Sequence, residues 1–216
     1  MDAVLLDLYD TLVRSHWGQL SERLTAELGV EKGDLFRAYD LTRAARGVGT
    51  YGSVEGDMTA IVEAVGVDPD PGLLERLLHL EREFSETGVE LWEDSLPVVR
   101  ELRSRGTRAA LISNCSHSTR PIVDRLEIAE EFDEILLSFE VGVHKPDAGI
   151  YREALRRLGD VAPERTVFVD DQPAYCDGAA ALGIDTFLID RSGDGTPDLN
   201  GHRVIRDLQA LLAVGA

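Results

Sequence analysis

Four short polar groups interrupt or follow the apolar runs of this chain: Asp7 to Thr11, Ser113-Asn114, Lys145-Pro146 and Asp170-Asp171. The first is the sharpest. In AVLLDLYDTLV, residues 3 to 13, the carboxylate of Asp7 lies inside a run that otherwise reads as a buried strand. Burying an unpaired carboxylate costs several kcal/mol or drives its pKa upward, so the charge needs a partner and a use. A carboxylate nucleophile must be fixed in position and kept ionised by a nearby cation, which Lys145 can supply. A second acidic pair, Asp170 and Asp171, can hold a divalent metal that offsets the charge of a phosphoryl group. The hydroxyls of Thr11 and Ser113, with backbone N–H groups, can bind the remaining substrate oxygens. Together these groups point to displacement at phosphorus or carbon by Asp7, through a covalent intermediate. Singly, each has a plainer reading as a helix cap, a turn, a solvated loop lysine or a pair of surface acids.

The elements that must position them are readable from hydrophobic pattern. Short, nearly continuous apolar runs recur at residues 4–9, 108–113, 134–138, 166–170 and 186–189, as expected of strands covered on both faces of a parallel sheet. All four polar groups fall at or shortly after the carboxyl ends of these runs. Helical patterns lie between them. SLPVVRELRSRG offers Ser95 as a cap and Gly106 as a stop; IYREALRRLG puts Ile150, Ala154, Leu155 and Leu158 on one stripe. The tail RVIRDLQALLAVG reads as one more helix, with Ile205, Leu208 and Leu212 inward. Residues 15–92 break the alternation with four helical segments and no strand, and the Gly-rich RGVGTYGSVEG, residues 46–56, separates two of them. The expected architecture is α/β: a doubly wound, Rossmann-like parallel sheet built from residues 1–14 and 93–216, with an all-helical cap domain, 15–92, inserted over its binding crevice.

Composition narrows the partners. The 216 residues carry 40 acidic against 22 basic side chains, a formal charge of −18, which argues against nucleic acid or an anionic membrane surface. No stretch approaches the ~18 apolar residues of a membrane span, and no basic leader precedes the first apolar run. Cys115 and Cys176 form neither a C-x-x-C nor a Cys/His group, which fits a reducing, cytoplasmic setting without zinc or a disulfide framework. A small-molecule substrate and a monomer or homodimer are expected.

In order along the chain, LLDLYDTLV, LISNCS, VGVHKPDAGIY and VFVDDQPAYCDGAAALG resemble the four motifs of the haloacid dehalogenase (HAD) superfamily, in its C1-type branch with an inserted helical cap. The resemblance runs from residue 3 to about 190. It implies Asp7 as nucleophile, Lys145 as its charge clamp, Thr11 and Ser113 as phosphate ligands with Asn114 beside them, and Mg²⁺ held by Asp7, Asp170, Asp171 and the backbone carbonyl of Tyr9. The chain departs from the pattern at one place. Phosphatases of this superfamily usually carry a general-acid Asp where this chain has Tyr9, a slot in which the dehalogenases accept an aromatic residue because halide leaves without a proton. Asp10 is then the candidate proton donor, or else a cap for the segment entering the insert. Arg37 falls about where those dehalogenases place an arginine near the halide, or else it pairs with Asp34 or Asp40 on its helix. Against dehalogenation stands the acid pair Asp170-Asp171. The expectation is therefore a Mg²⁺-dependent phosphatase of a small phosphorylated metabolite, with a metal-free 2-haloacid dehalogenase and a degenerate binding module as alternatives.

Overall fold

The five apolar runs become five strands of one sheet. The computed structural model describes residues 1–193 and 201–214. In chain order the elements are β1 (Ala3–Leu6), β2 (Val13–Ser15), α1 (Trp17–Leu28), α2 (Lys32–Gly47), α3 (Val54–Ala64), α4 (Pro71–Thr87), β3 (Val89–Leu91), α5 (Ser95–Ser104), β4 (Arg108–Ser113), α6 (Thr119–Arg125), β5 (Glu134–Leu137), α7 (Ser138–Val141), α8 (Ala148–Arg157), β6 (Thr166–Asp170), α9 (Pro173–Ala180), β7 (Asp185–Ile189) and β8 (Arg203–Ile205). The large sheet has the order β5-β4-β1-β6-β7-β8 with parallel neighbours throughout. The order reverses at β1, and this reversal makes the crevice beyond its carboxyl end the natural ligand site of a doubly wound sheet.

Both faces of the sheet are buried, which is why its strands read as unbroken apolar runs. Val4, Leu6, Ala109, Leu111, Val167 and Val169 pack on one face against Val98, Val99 and Leu102 of α5. Ala3, Leu5, Ala110, Ile112 and Phe168 pack on the other, against Ile150, Tyr151 and Ala154 of α8 and Ala179 of α9. Successive side chains of one strand thus feed opposite cores, each buried Leu or Val contributing roughly 1.5–3 kcal/mol.

The four helices α1–α4 enclose a third core of their own, around Leu24, Leu35, Met58, Ile61 and Leu77. Their starts follow from local sequence. Ser53 accepts the Gly56 N–H at the head of α3, and Asp70 accepts the N–H groups of Gly72 and Leu73 at the head of α4, with Pro71 first in the helix. The chain enters and leaves this group of helices through β2 and β3, which pair antiparallel as a two-stranded ribbon.

Three local expectations are corrected. The tail is not an α-helix: β-branched Val204 and Ile205 extend the sheet as β8, and Leu208–Ala213 forms a 3₁₀ helix whose three-residue turn stacks Leu208 and Leu211 into the core. Gly215, at the end of that expected helix, lies outside the described residues, as do residues 194–200 of the expected core. Ser95 does not cap α5; its hydroxyl donates to the Leu12 carbonyl at 2.7 Å, tying the helix to the turn after β1. The ribbon β2–β3 was not anticipated, because three-residue strands are too short to show a period.

Candidate active site

The centre is assembled from the ends of three strands and one loop. Asp7 follows β1, Asp170 ends β6, Ser113 ends β4, and Lys145 comes from the loop between α7 and α8. The Lys145 Nζ donates to Asp7 Oδ1 at 2.5 Å, to Asp170 Oδ2 at 2.6 Å and to the Ile112 carbonyl at 3.0 Å, with the ammonium buried. One cation thus bridges two carboxylates separated by 163 positions in sequence (170 − 7). Asp171 joins them: one carboxylate oxygen from each of Asp7, Asp170 and Asp171 lies within 4.8 Å of the others.

The electrostatics follow from three acids sharing one lysine. Burial pushes Asp7 and Asp170 above the ordinary carboxylate range, with Lys145 opposing. Burial and then Asp7 raise Asp171 to about 6. For Lys145 burial acts downward, but Asp170 and Asp7 outweigh it and the ammonium is held more firmly than usual. The donor set is oxygen only, two of its three members are fully or nearly fully buried, and it carries an excess of negative charge. That is the chemistry of a hard divalent cation site, so these residues fit Mg²⁺.

The hydroxyls of Thr11 and Ser113 are both fully buried, and neither has a hydrogen-bond partner among the described residues. Buried hydroxyls are normally satisfied, and these two lie unpaired at the same end of the sheet. The Thr11 main chain is held from behind, its carbonyl accepting from Arg191 Nε at 3.1 Å and Nη2 at 2.7 Å. That arginine is itself fixed by Asp94 at 2.8 Å and lies over the Trp92 ring.

The other expected site residues divide. Asn114, expected beside substrate, spends its amide on Lys145: Nδ2 donates to the Lys145 carbonyl and Oδ1 accepts the Lys145 N–H, both at 2.7 Å. It positions the lysine. Gly178 of α9 serves the same loop, since a Cβ there would lie 2.8 Å from Pro146. Asp10 is in a left-handed turn (φ 57°), lines the cavity above the centre, and has its carboxyl raised by partial desolvation. The Tyr9 hydroxyl is engaged with Thr119 Oγ1 at 3.1 Å, and burial raises its pKa further, so it is a poor proton donor. Arg37 does not join the site. It pairs with Asp34 on a well-exposed surface of α2, and it does not line the cavity. The arginines of that helix that do are Arg43 and Arg46, six and nine residues further on. Cys115 also lines the cavity, but burial pushes its thiol up to about 12, which leaves it unreactive.

The cavity measures about 750 Å³ and is roofed by α1–α4. Two buried acids in its wall, Asp57 and Glu81, were missed by motif reading, yet the helical pattern holds a signal. Asp57 shares a face of α3 with Ile61, and Glu81 shares a face of α4 with Leu77, each four residues apart on an apolar stripe. Burial drives the Glu81 carboxyl up to about 7, with Arg46 and the Tyr39 hydroxyl opposing and Asp57 reinforcing. A carboxyl raised from 4.5 to about 7 favours the folded state while protonated; that stabilisation is complete below pH 4.5 and is lost as pH rises toward 7. Relative to Glu81→Gln, the wild-type chain should therefore lose up to roughly 3 kcal/mol across this window and then level off. Thermal melts of both proteins from about pH 5 to about pH 8 check this; a difference that does not vary with pH would refute it.

With the geometry described, comparison with known proteins is informative. The model of the family described as haloacid dehalogenase-like hydrolase matches residues 1–183. A glyceraldehyde 3-phosphate phosphatase of Methanopyrus kandleri is 30% identical over 182 residues, 79% of this chain and 75% of that protein. A phosphatase of Mycobacterium tuberculosis is 32% identical over 125 residues, 57% of this chain, and the match spans about half of that protein, 55%. Among solved structures, a 2-haloacid dehalogenase of Pseudomonas syringae superposes with a TM-score of 0.72 at 21% identity, covering 98% of this chain and 96% of the other.

Proposed function

The chain belongs to the haloacid dehalogenase-like hydrolase family, and from that premise we propose that it is a Mg²⁺-dependent phosphatase of small phosphorylated metabolites. The observation that carries this reading is the cluster of Asp7, Asp170 and Asp171 oxygens within 4.8 Å of one another. A halide-displacing site needs one ionised aspartate; two further acids crowded against it are a cost unless a cation and an anionic substrate are to be bound. Residues 15–92 serve as the cap that selects substrate.

Asp7 is the nucleophile. One of its carboxylate oxygens attacks phosphorus, the P–O bond to the leaving group breaks, and an aspartyl phosphate results; water then attacks that phosphorus, releasing phosphate and restoring the carboxylate. Lys145 keeps Asp7 ionised and aimed. The Thr11 and Ser113 hydroxyls donate to phosphoryl oxygens, which resolves their orphaned state. Asp7, Asp170, Asp171 and the Tyr9 carbonyl would hold Mg²⁺, which when bound offsets phosphoryl charge. Asp10, partly desolvated and lining the cavity, is the proton source for the leaving oxygen, in place of the acid that Tyr9 displaces.

Tyr9 itself favours the second reading, metal-free dehalogenation of a 2-haloacid with an ester at Asp7. Arg37, its expected halide contact, pairs with Asp34 and does not line the cavity. The two readings separate in one assay. Hydrolysis of p-nitrophenyl phosphate should require Mg²⁺, fall by about 10²-fold or more in EDTA and return on adding the metal. Chloride release from 2-chloropropionate in EDTA, with no phosphate released in Mg²⁺, would establish dehalogenation instead.

A further inference from the structure

The cap side of the cavity makes a demand of its own. Asp57 is 4% exposed. Its Oδ2 accepts the His117 backbone N–H at 3.2 Å and lies 2.8 Å from His117 Nδ1, while its Oδ1 has no partner among the described residues. Glu81, 8% exposed, receives one long hydrogen bond, from the Tyr39 hydroxyl at 3.4 Å. Both acids line the cavity. A buried carboxylate oxygen left without a donor is costly, and the arginine that acts on Glu81 is Arg46.

That arginine is committed elsewhere. Arg46 Nε donates to Thr42 Oγ1 at 3.0 Å, its Nη2 donates to the Tyr39 carbonyl at 3.1 Å, and its guanidinium lies 4.7 Å from the Tyr39 ring centroid. It acts as a fixed counter-charge held by its own helix. Aromatic rings line the same space beside Arg43, Met58 and Ile61: Trp17 meets Tyr39 edge-on at 4.8 Å, with Phe36 and Phe84 nearby. A buried carboxylate oxygen still without a donor, beside a second acid that holds one long hydrogen bond and among aromatic rings, suits a group that is both cationic and rich in N–H.

We propose that Asp57 and Glu81 form a receptor for an ammonium group, so that the substrates are small phosphoesters carrying a primary amine, phosphoryl end toward Asp7 and amine toward the cap. The orientation rests on the phosphatase reading above; the amine receptor rests on the cap residues alone. An ammonium between the two acids would supply donors to the unbonded Asp57 Oδ1 and restore the charge on Glu81. A neutral alkyl group of the same length would leave both unmet, at a cost of tenfold or more in affinity.

The test is calorimetry on the full chain in Mg²⁺ with two non-hydrolysable isosteres, 2-aminoethylphosphonate and propylphosphonate. The wild-type protein is expected to bind the amine about tenfold or more tightly, equivalent to about 1.4 kcal/mol. In Asp57→Asn and in Glu81→Gln the ratio should fall toward one; because it is taken within each protein, a general loss of phosphonate affinity cancels. A wild-type ratio near one, or equal affinity for 2-hydroxyethylphosphonate, would overturn the proposal even if a variant failed to fold. Turnover of p-nitrophenyl phosphate reports on the other reading. Turnover without amine preference defeats this inference alone, and amine preference without turnover defeats the phosphatase reading alone.

Discussion

Asp7→Asn is expected to lower kcat for p-nitrophenyl phosphate by about 10⁴-fold or more while leaving the protein folded. The amide keeps the size of the carboxylate but cannot form the acyl phosphate, and Lys145 retains Asp170 at 2.6 Å and the Ile112 carbonyl at 3.0 Å as partners. Steady-state kinetics of the two proteins give the ratio, and urea unfolding shows whether the loss is chemical. A second measurement isolates the covalent step. Wild-type protein quenched in acid during turnover should gain the mass of one phosphoryl group on the peptide containing Asp7, and the variant should not. Residual activity within tenfold of wild type would remove Asp7 from the nucleophile's role.

The largest effect on stability is expected at Lys145→Met. Methionine fills the volume but leaves two buried carboxylates and a main-chain carbonyl without their donor. Breaking a buried ion pair by deleting one partner costs about 3–5 kcal/mol. The cost should depend on pH in a defined direction. Burial already raises Asp7 and Asp170 above the ordinary carboxylate range, and without the ammonium they rise further. In the variant they accept protons as the solution is acidified, which removes the uncompensated charge, so the penalty shrinks at low pH and is full above neutrality. Urea midpoints of wild type and variant at about pH 5 and about pH 8 test this. A penalty equal at both values would mean that Lys145 stabilises by packing rather than by charge.

How much of this was legible in the sequence varied with the kind of signal. The parallel sheet was readable because its strands are buried on both faces and carry no alternation to confuse with a surface strand. Asp7, Lys145 and Asp170 were readable because polar residues at strand ends are expensive unless used, and the structure does bring them together. Asn114 was found as a residue and does line the cavity, but nothing local to LISNCS says that its amide will also hold Lys145, 31 positions on. Arg37 was misplaced for a simpler reason. Its helix presents an arginine at 37, 43 and 46, and because offsets of six and nine residues are not whole turns of 3.6, the later two point in other directions than the first and line the cavity. Asp57 and Glu81 were passed over because an acid on an apolar stripe looks like an error of pattern until a cavity is found behind it. The tail failed as a helix because Leu208 and Leu211 suit a three-residue turn as well as a longer one.

The ribbon of β2 and β3 has a mechanical consequence. Both covalent links between the sheet and the helical insert, Val13–Ser15 and Val89–Leu91, are laced to each other by main-chain hydrogen bonds, so the insert hangs from a single strap and not from two independent cords. Tilting on that strap must also break the bonds that hold the insert down on the core, His117 N–H to Asp57 Oδ2 at 3.2 Å and Arg125 Nε to the Ser85 carbonyl at 2.7 Å. Such a tilt would open or shut the mouth of the cavity while Asp7, anchored through its backbone to Val169 at 3.0 Å, stayed still, so that entry of substrate and aim of the nucleophile are governed by separate parts of the chain.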